Sequence, residues 1–232
     1  MACDAGRLAD RRSLAFLLLL PPRAEAASSS LDCQIRILDL NDGVQERAID
    51  TGPVETWTLC FSKDNNFIAS GSQKGTVNIW KVDASSGSGN QEAVLDPRGK
   101  FTMSVAWSPT KNIVACGALD GAVTLIDVQE NKVIHRLEHH TMPVRSLAFT
   151  PDGNCLLSAC DDMLVNISDV SAGTLIKTLS GHSSWVLSVA ASLDGSHFAT
   201  GGSDKKVKLW DARQQTNCGT FDQHTDQVWG VA

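Results

Sequence analysis

A chain of 232 residues that is 42% hydrophobic and 20% charged has the composition of a folded globular protein, which excludes a disordered one. Its formal net charge is −6, with 20 basic residues scattered among 26 acidic ones; no basic stripe is left to track phosphates, so direct nucleic-acid binding is not expected. Seven cysteines without a C-x-x-C pair read as reduced thiols of a cytosolic or nuclear protein, neither a disulfide framework nor a zinc cluster, and no metal or cofactor is expected.

In chain order, residues 1–27 form an atypical head, expected to be disordered. Arg11-Arg12, an apolar run over residues 14–20, Pro21-Pro22 and Ala24-Glu25-Ala26 imitate a signal peptide with an A-x-A cleavage site. The run has only seven residues, the bottom of the range for a signal segment and far too short to span a bilayer as a helix. The unpatterned cysteines argue against secretion. The N-x-S match at Asn166-Ile167-Ser168 falls on an expected inner strand, where a glycan has no room. Secretion is the alternative if residues 1–26 act as a signal.

A β pattern begins at Ser28, in the middle of a repeat. Ser28-Ser29-Ser30-Leu31-Asp32 reads as the end of a second strand with its turn, residues 35–40 as a third strand and residues 44–49 as an outer one; the first strand is expected to be missing. First strands follow at about residues 54–61, 102–107, 144–149 and 186–191, alternating with period two and most running into polar turns such as Thr150-Pro151-Asp152-Gly153. Residues 181–211 are the clearest copy of the unit. Gly-His opens it, Trp-Asp closes it, and β-prone runs at 185–191, 197–201 and 206–210 are separated by Leu193-Asp194-Gly195 and Ser203-Asp204. Going back from Trp210, the closing position recurs after 42 residues at Ser168, 42 at Ile126, 46 at Trp80 and 42 at Leu38. His140, His182 and His224 keep the same step of 42. The longer step holds Ala84-Ser85-Ser86-Gly87-Ser88-Gly89-Asn90, which reads as a four-residue loop insertion. One more first strand begins at Val228 and stops at Ala232. Four-stranded units at a spacing of ~40–45 residues are the blades of an all-β propeller. Residues 28–232 thus hold four whole blades and two partial ones.

Gly181-His182 and Trp210-Asp211, at this period, resemble the WD-repeat family. Against an expected ring of seven blades, the chain reads as an incomplete β-propeller. In the family's structural tetrad a turn carboxylate accepts from an imidazole, whose other nitrogen meets a hydroxyl that takes the indole N–H, so no buried donor is left unpaired. Asp204, His182, Trp210 and either Thr200 or Ser203 match it. A His–Asp pair beside a hydroxyl could also be read as a catalytic triad. The group recurs as a blade staple and does not converge on one cleft, so no catalytic residue is expected. Elsewhere only pieces remain: His140 and Asp162 with Ser168 in the tryptophan's place, Asp120 facing Ile126, and Trp80 with Lys74 where the turn acid belongs. The staple is expected to be intact only in residues 181–211.

Partner recognition is expected on the first strands, where residues separated by one point the same way. In WD-repeat proteins these positions rim the top of the central channel. The pairs are Glu55 and Trp57, Phe101 and Met103, Pro143 and Arg145, Trp185 and Leu187, and Gln227 and Trp229, with Leu119, Asp161 and Ser203 on the same rim. Large aromatics, an arginine and a methionine have the composition of a binding hot spot. For any single tryptophan, ordinary core packing is the competing reading.

Residues 28–37 and the phrases Asp50-Thr51-Gly52-Pro53-Val54-Glu55-Thr56-Trp57, Arg98-Gly99-Lys100-Phe101, Met142-Pro143-Val144-Arg145, Gly181-His182-Ser183-Ser184-Trp185-Val186-Leu187 and His224-Thr225-Asp226-Gln227-Val228-Trp229 are similar to the WD-repeat subunit of the superkiller complex, which animals share with the Paf transcription-elongation complex. The likeness runs from about Ala27 to Ala232 and lies in loops and rim positions that the generic repeat leaves free. It implies a non-enzymatic protein–protein interaction scaffold. In the superkiller complex such a subunit joins a tetratricopeptide protein and an RNA helicase in exosome-linked 3′–5′ mRNA decay. In the nucleus it supports Paf-dependent elongation and histone modification. The resemblance also implies residence in nucleus and cytoplasm, indirect contact with RNA, and neither a membrane nor a small-molecule substrate. Two further classes fit the residues. One is another WD-repeat adaptor, such as a ubiquitin-ligase substrate receptor or a G-protein β-like scaffold; the other is a hydrolase built on a His–Asp–Ser group.

Overall fold

The computed structural model describes residues 16–20, 25–30, 32–41, 45–51, 56–82 and 90–232. Within them the chain forms five four-stranded antiparallel sheets and no helix. Blade I is β1 (Phe16–Leu20), β2 (Glu25–Ser30), β3 (Gln34–Asp39) and β4 (Gln45–Asp50); blade II is β5 (Thr56–Phe61), β6 (Phe67–Ser72), β7 (Val77–Lys81) and β8 (Asn90–Leu95). Blade III is β9 (Thr102–Trp107), β10 (Ile113–Ala118), β11 (Val123–Asp127) and β12 (Lys132–Leu137). Blade IV is β13 (Val144–Phe149), β14 (Cys155–Cys160), β15 (Leu164–Asp169) and β16 (Leu175–Ser180); blade V is β17 (Val186–Ala191), β18 (His197–Gly202), β19 (Val207–Asp211) and β20 (Thr216–Phe221).

The first blade corrects two expectations. β1 pairs with β2 from Phe16 opposite Ser29 to Leu20 opposite Glu25, so the first strand is present and comes from the head. The boundary at residue 28 falls inside β2. A short apolar run is as much the mark of a buried strand as of a signal segment, and periodicity alone does not separate the two. The rest of the expected head, residues 1–15 and 21–24, and the loop at residues 83–89 lie outside the described residues. The strand expected from Val228 does not form; residues 222–232 carry no regular structure.

Burial falls from the middle strands outward. β10 (IVACGA) is buried along its whole length, whereas β20 (TNCGTF) is mostly exposed. The first strands β1, β5, β9, β13 and β17 lie side by side in chain order. Apolar cores fill the gaps between sheets: Ile37 with Ile68 between blades I and II, Ile79 with Val114 between II and III, Leu125 with Leu156 between III and IV, and Leu157 with Phe198 between IV and V. Each such buried apolar side chain contributes roughly 1.5–3 kcal/mol. Cys60, Cys116 and Cys160 belong to this interior as free thiols, and burial pushes Cys116 and Cys160 up to about 12.

The repeat is written in the backbone as well. The turn between second and third strands has a left-handed residue at the same place in every blade: Cys33, Gly75, Gly121, Met163 and Lys205, with φ between 62° and 89°. At Gly121 a Cβ would lie 2.5 Å from the His140 carbonyl oxygen, so this turn presses on the backbone that leads into the next blade.

Candidate protein-docking site

The first strands position the site. Against the second strands their pairing slips by one residue: Thr56 faces Ser72 while Thr58 faces Gly71, and the same step occurs around residues 103, 145 and 187. Trp57, Met103, Arg145 and Leu187 are therefore bulge residues, left out of the ladder. A bulge bends the strand and re-aims the extra side chain. Just after each of three bulges, small hydroxyls tie each first strand to the segment beside it: Ser104 Oγ donates to the Val144 carbonyl (3.1 Å), Ser146 Oγ accepts from Val189 N–H (3.2 Å), and Ser188 Oγ accepts from Val231 N–H of the final segment (3.0 Å). Val228, 7% exposed, donates its N–H to the Gly202 carbonyl at 3.1 Å, so the final segment is seated on blade V without forming a strand.

The rim backbone is closed from the other side by the turn after the second strand. Leu119 N–H donates to Phe101 O (2.9 Å), Asp161 N–H to Pro143 O (3.1 Å) and Ser203 N–H to Trp185 O (2.8 Å). On this frame the side chains form two groups. Trp57 and Phe101 meet edge-on, 5.0 Å between ring centroids at 74°. Arg145 grips Asp161, Nε lying 2.9 and 3.0 Å from the two carboxylate oxygens and Nη2 2.7 Å from Oδ2, while its Cζ lies 5.9 Å from the centre of the Trp185 ring. The Asp161 side chain is 3% exposed and that of Arg145 29%. Hydrogen bonding to Asp161 raises the guanidinium pKa further, so the arginine stays charged.

Met103, Arg145, Leu187 and Trp229 all line one cleft of about 590 Å³ along the first strands; Trp57, Phe101 and Trp185 do not. Trp185 (45% exposed) and Trp229 (70%) stand in solvent, and Gln227 is exposed beside them. Leu187 departs from the expected pairing with Trp185: it is 6% exposed, because period-two alternation does not survive a bulge. Glu55 lies outside the described residues.

The staples also differ from expectation. In blade V, His182 Nδ1 is 3.0 Å from both oxygens of Asp204, Nε2 is 2.8 Å from Thr200 Oγ1, and Trp210 Nε1 donates to that hydroxyl at 2.9 Å. Thr200 is the hydroxyl of this network; Ser203 Oγ is buried without a partner. With Thr200 Oγ1 accepting from the indole, its own hydrogen is satisfied by donating to Nε2, an arrangement that sets the imidazole proton on Nδ1, facing Asp204. Burial pulls the His182 pKa down, against the upward pull of Asp204.

Blade IV holds a second staple that lacks only the tryptophan. His140 Nδ1 is 2.8 Å from Asp162 Oδ2 and Nε2 is 2.8 Å from Ser158 Oγ. Asn166 Nδ2 lies 3.1 Å from Nε2 and donates to the His139 carbonyl at 3.3 Å, while Thr178 Oγ1 donates to Asn166 Oδ1 at 2.7 Å. Ser168 does stand where the tryptophan would be, but Asn166, opposite Ser158 in the ladder, takes over the polar closure. In blade II, Trp80 Nε1 donates to Ser70 Oγ at 2.8 Å, a half-staple with no imidazole. Sequence reasoning scored each blade against the full tetrad and so missed Ser158, Asn166 and Ser70. The 42-residue step from Thr200 to Ser158 was the available signal. The fold also brings His140, Cys160 and Asp162 together, their ligand atoms within 4.8 Å of one another, a grouping that the spacing of the cysteines along the chain does not show.

Residues 48–81 and 173–211 match the family described as WD domain, G-beta repeat, and residues 105–190 match the Anaphase-promoting complex subunit 4 WD40 domain. The chain is a WD-repeat protein. Its sequence repeat straddles two sheets: the match over 48–81 runs from β4 of blade I to the end of β7, the third strand of blade II. Among relatives, the WD-repeat protein is 38% identical over 149 residues to the WD repeat-containing protein VIP3 of Arabidopsis thaliana, covering 58% of this chain and 45% of that one. It is 38% identical over 122 residues to the WD repeat-containing protein SL1-17 of Schistosoma mansoni, covering 53% and 39%. It is 32% identical over 95 residues to the Meiotic recombination protein rec14 of Schizosaccharomyces pombe, covering 41% and 30%. The matches span less than half the length of each of these relatives.

Proposed function

We propose that this WD-repeat chain is a non-enzymatic protein-docking scaffold of the superkiller and Paf type, present in nucleus and cytoplasm, with the channel rim as its contact surface. The observation that carries this reading is the repeated first-strand bulge, which offers Trp57, Met103, Arg145 and Leu187 from successive blades. Beside it, Asp161 and Trp185 hold the Arg145 guanidinium in one orientation. A preset arginine flanked by exposed tryptophans is the composition of a hot spot, and loses little entropy on binding. The loop phrases and the likeness to VIP3 and rec14 favour the superkiller and Paf complexes over a ubiquitin-ligase receptor or a G-protein β-like scaffold. The partners would be tetratricopeptide and helicase subunits in the first complex and Paf subunits in the second, RNA being reached through them. The His–Asp–hydroxyl groups serve as staples: each is enclosed in its own blade, and the imidazoles of His140 and His182 are buried.

The test is affinity purification of the tagged chain and of a Trp185→Ala/Trp229→Ala variant, with folding checked by circular dichroism. Superkiller or Paf subunits should come down with the parent chain and fall by about 30-fold or more with the variant, the equivalent of ~2 kcal/mol. Equal recovery with the variant would refute the rim, and recovery of ubiquitin-ligase subunits instead would favour the other adaptor class.

A further inference from the structure

We propose that blade IV carries a site for a borderline divalent cation, zinc in the first instance, built from His140 Nδ1, Cys160 Sγ and a carboxylate oxygen of Asp162. The three come from the segment before β13, the last residue of β14 and the turn that follows it. Their ligand atoms lie within 4.8 Å of one another, and His140 and Cys160 are buried.

The position of the thiol is the deciding feature. The residue opposite the start of each first strand is Ser72 in blade II, Ala118 in blade III, Cys160 in blade IV and Gly202 in blade V. A Cβ built at Gly202 would lie 2.7 Å from both His182 Nδ1 and Asp204 Oδ1, so this position aims directly at the His–Asp pair. Among these four blades only blade IV puts a sulfur there. Cys160 Sγ lies 3.0 Å from the Met142 carbonyl oxygen and 3.4 Å from the Asp162 N–H, which keeps it beside the pair and makes the Met142 carbonyl the nearest further donor.

The charges balance. A thiolate and a carboxylate neutralise a divalent ion, so the filled site is neutral, as its burial requires. Nitrogen, sulfur and oxygen together are the donor set of zinc. Binding would proceed with loss of the Cys160 proton to solvent and formation of the metal–sulfur, metal–nitrogen and metal–oxygen bonds, with Nδ1 of the neutral imidazole unprotonated toward the ion and the ring proton on Nε2. Ser158 Oγ, 2.8 Å from Nε2, would then accept that proton's hydrogen bond and fix the ring from behind, while Asn166 Nδ2, 3.1 Å from the same nitrogen, would keep only its bond to the His139 carbonyl. A tetrahedral zinc keeps its ligand atoms on the order of 3.3–3.6 Å apart, so the 2.8 Å His140–Asp162 contact has to open by roughly half an ångström.

The experiment uses the whole chain, reduced and stripped with a chelator, titrated with Co²⁺ and then with Zn²⁺. One equivalent of Co²⁺ should give the near-ultraviolet thiolate-to-metal band and the visible absorption of a four-coordinate ion, and Zn²⁺ should displace both. Cys160→Ala, which installs the residue that blade III carries at the same place, should remove the band and weaken zinc by about 100-fold or more. Cys218→Ser, at an exposed thiol, should change neither. Zinc should raise the thermal midpoint of the parent chain and not that of Cys160→Ala, whose folding is checked by circular dichroism without metal. No thiolate band in the parent chain, or a band that survives Cys160→Ala, would overturn the proposal.

Discussion

Arg145 and Asp161 form a rim ion pair whose two ends differ sharply in exposure, and that asymmetry predicts which end is costlier to remove. The Asp161 side chain is 3% exposed and takes three N–H contacts from Arg145; the Arg145 side chain is 29% exposed and also lies over Trp185. Arg145→Met strands a carboxylate that cannot reach water, at a cost of about 3–5 kcal/mol. Asp161→Asn leaves a guanidinium that can turn to solvent and still donate to the amide oxygen, which limits the cost to about 1–2 kcal/mol. The double variant contains no unpaired charge, so it should be more stable than the sum of the two losses by at least ~1 kcal/mol. Urea denaturation of the four proteins reads this directly: with a slope of about 2 kcal/mol/M, the two single variants should differ in midpoint by roughly 1 M. If Asp161→Asn costs as much as Arg145→Met, burial asymmetry does not govern the pair and the reasoning fails.

Two further predictions concern the staples and the turns. Burial holds His182 below its ordinary value of 6.5, so the unfolded chain binds the proton more readily; the contribution of His182 is complete above pH 6.5 and is lost as pH falls below it. Asp204, which burial would raise, is held below 3.8 by hydrogen bonds from His182 and the Ser183 N–H, and adds a second loss of the same sign in that lower range. Urea midpoints between pH 7.5 and 5.5 should fall less steeply in His182→Gln than in the parent chain; an unchanged slope would show that another group sets it. Gly121→Ala forces a side chain into φ 89° with its Cβ 2.5 Å from the His140 carbonyl oxygen, and should destabilise by about 2 kcal/mol or more. Lys205→Gly, at the equivalent turn of blade V with φ 67°, should instead gain about 0.5–1 kcal/mol. Thermal unfolding of the two variants with opposite signs is the expected result.

The architecture was legible because strand spacing survives where side-chain identity does not. Each of the last three first strands lies where the spacing puts it, at Thr102–Trp107, Val144–Phe149 and Val186–Ala191. The period fixed the register even for blade III, which has neither the histidine nor the tryptophan of the motif. β1 was not legible, since the leucine run carries no period-two signal and its flanks mimic a cleavage site. The bulges were not legible either, because an extra residue shows only in the pairing with a neighbouring strand. For that reason Trp185 and Leu187 read as a matched pair, whereas one stands in solvent and the other lines the cleft. Blade IV's closure was hidden by a substitution in kind: Asn166, two residues before the tryptophan's position, does with an amide what Trp210 does with an indole.

Arg145 and Trp185 belong to the blades that, among the described residues, join an imidazole to a turn carboxylate and a hydroxyl, and the coincidence has a mechanical meaning. Each staple joins the segment before a first strand (His140, His182) to the turn after the second (Asp162, Asp204), and the rim residue of that turn, Asp161 or Ser203, lies one position away. The same turn also bonds back to the rim through Asp161 N–H on Pro143 O and Ser203 N–H on Trp185 O. The proposed contact surface of blades IV and V is thus fixed at both ends by buried bonds. Blade III keeps the Leu119 to Phe101 bond, but Asp120 faces Arg136 at 3.6 Å, with both side chains partly in solvent. In blade II the turn carries Lys74 instead of an acid, and only the Trp80–Ser70 half of the network forms. Ordering a surface on binding costs conformational entropy that a pre-ordered surface does not lose. If the rim docks a partner as proposed, the binding energy is expected to concentrate at Arg145, braced by Asp161, and at Trp185, with Trp57, Phe101 and Met103, on the less braced blades, contributing less.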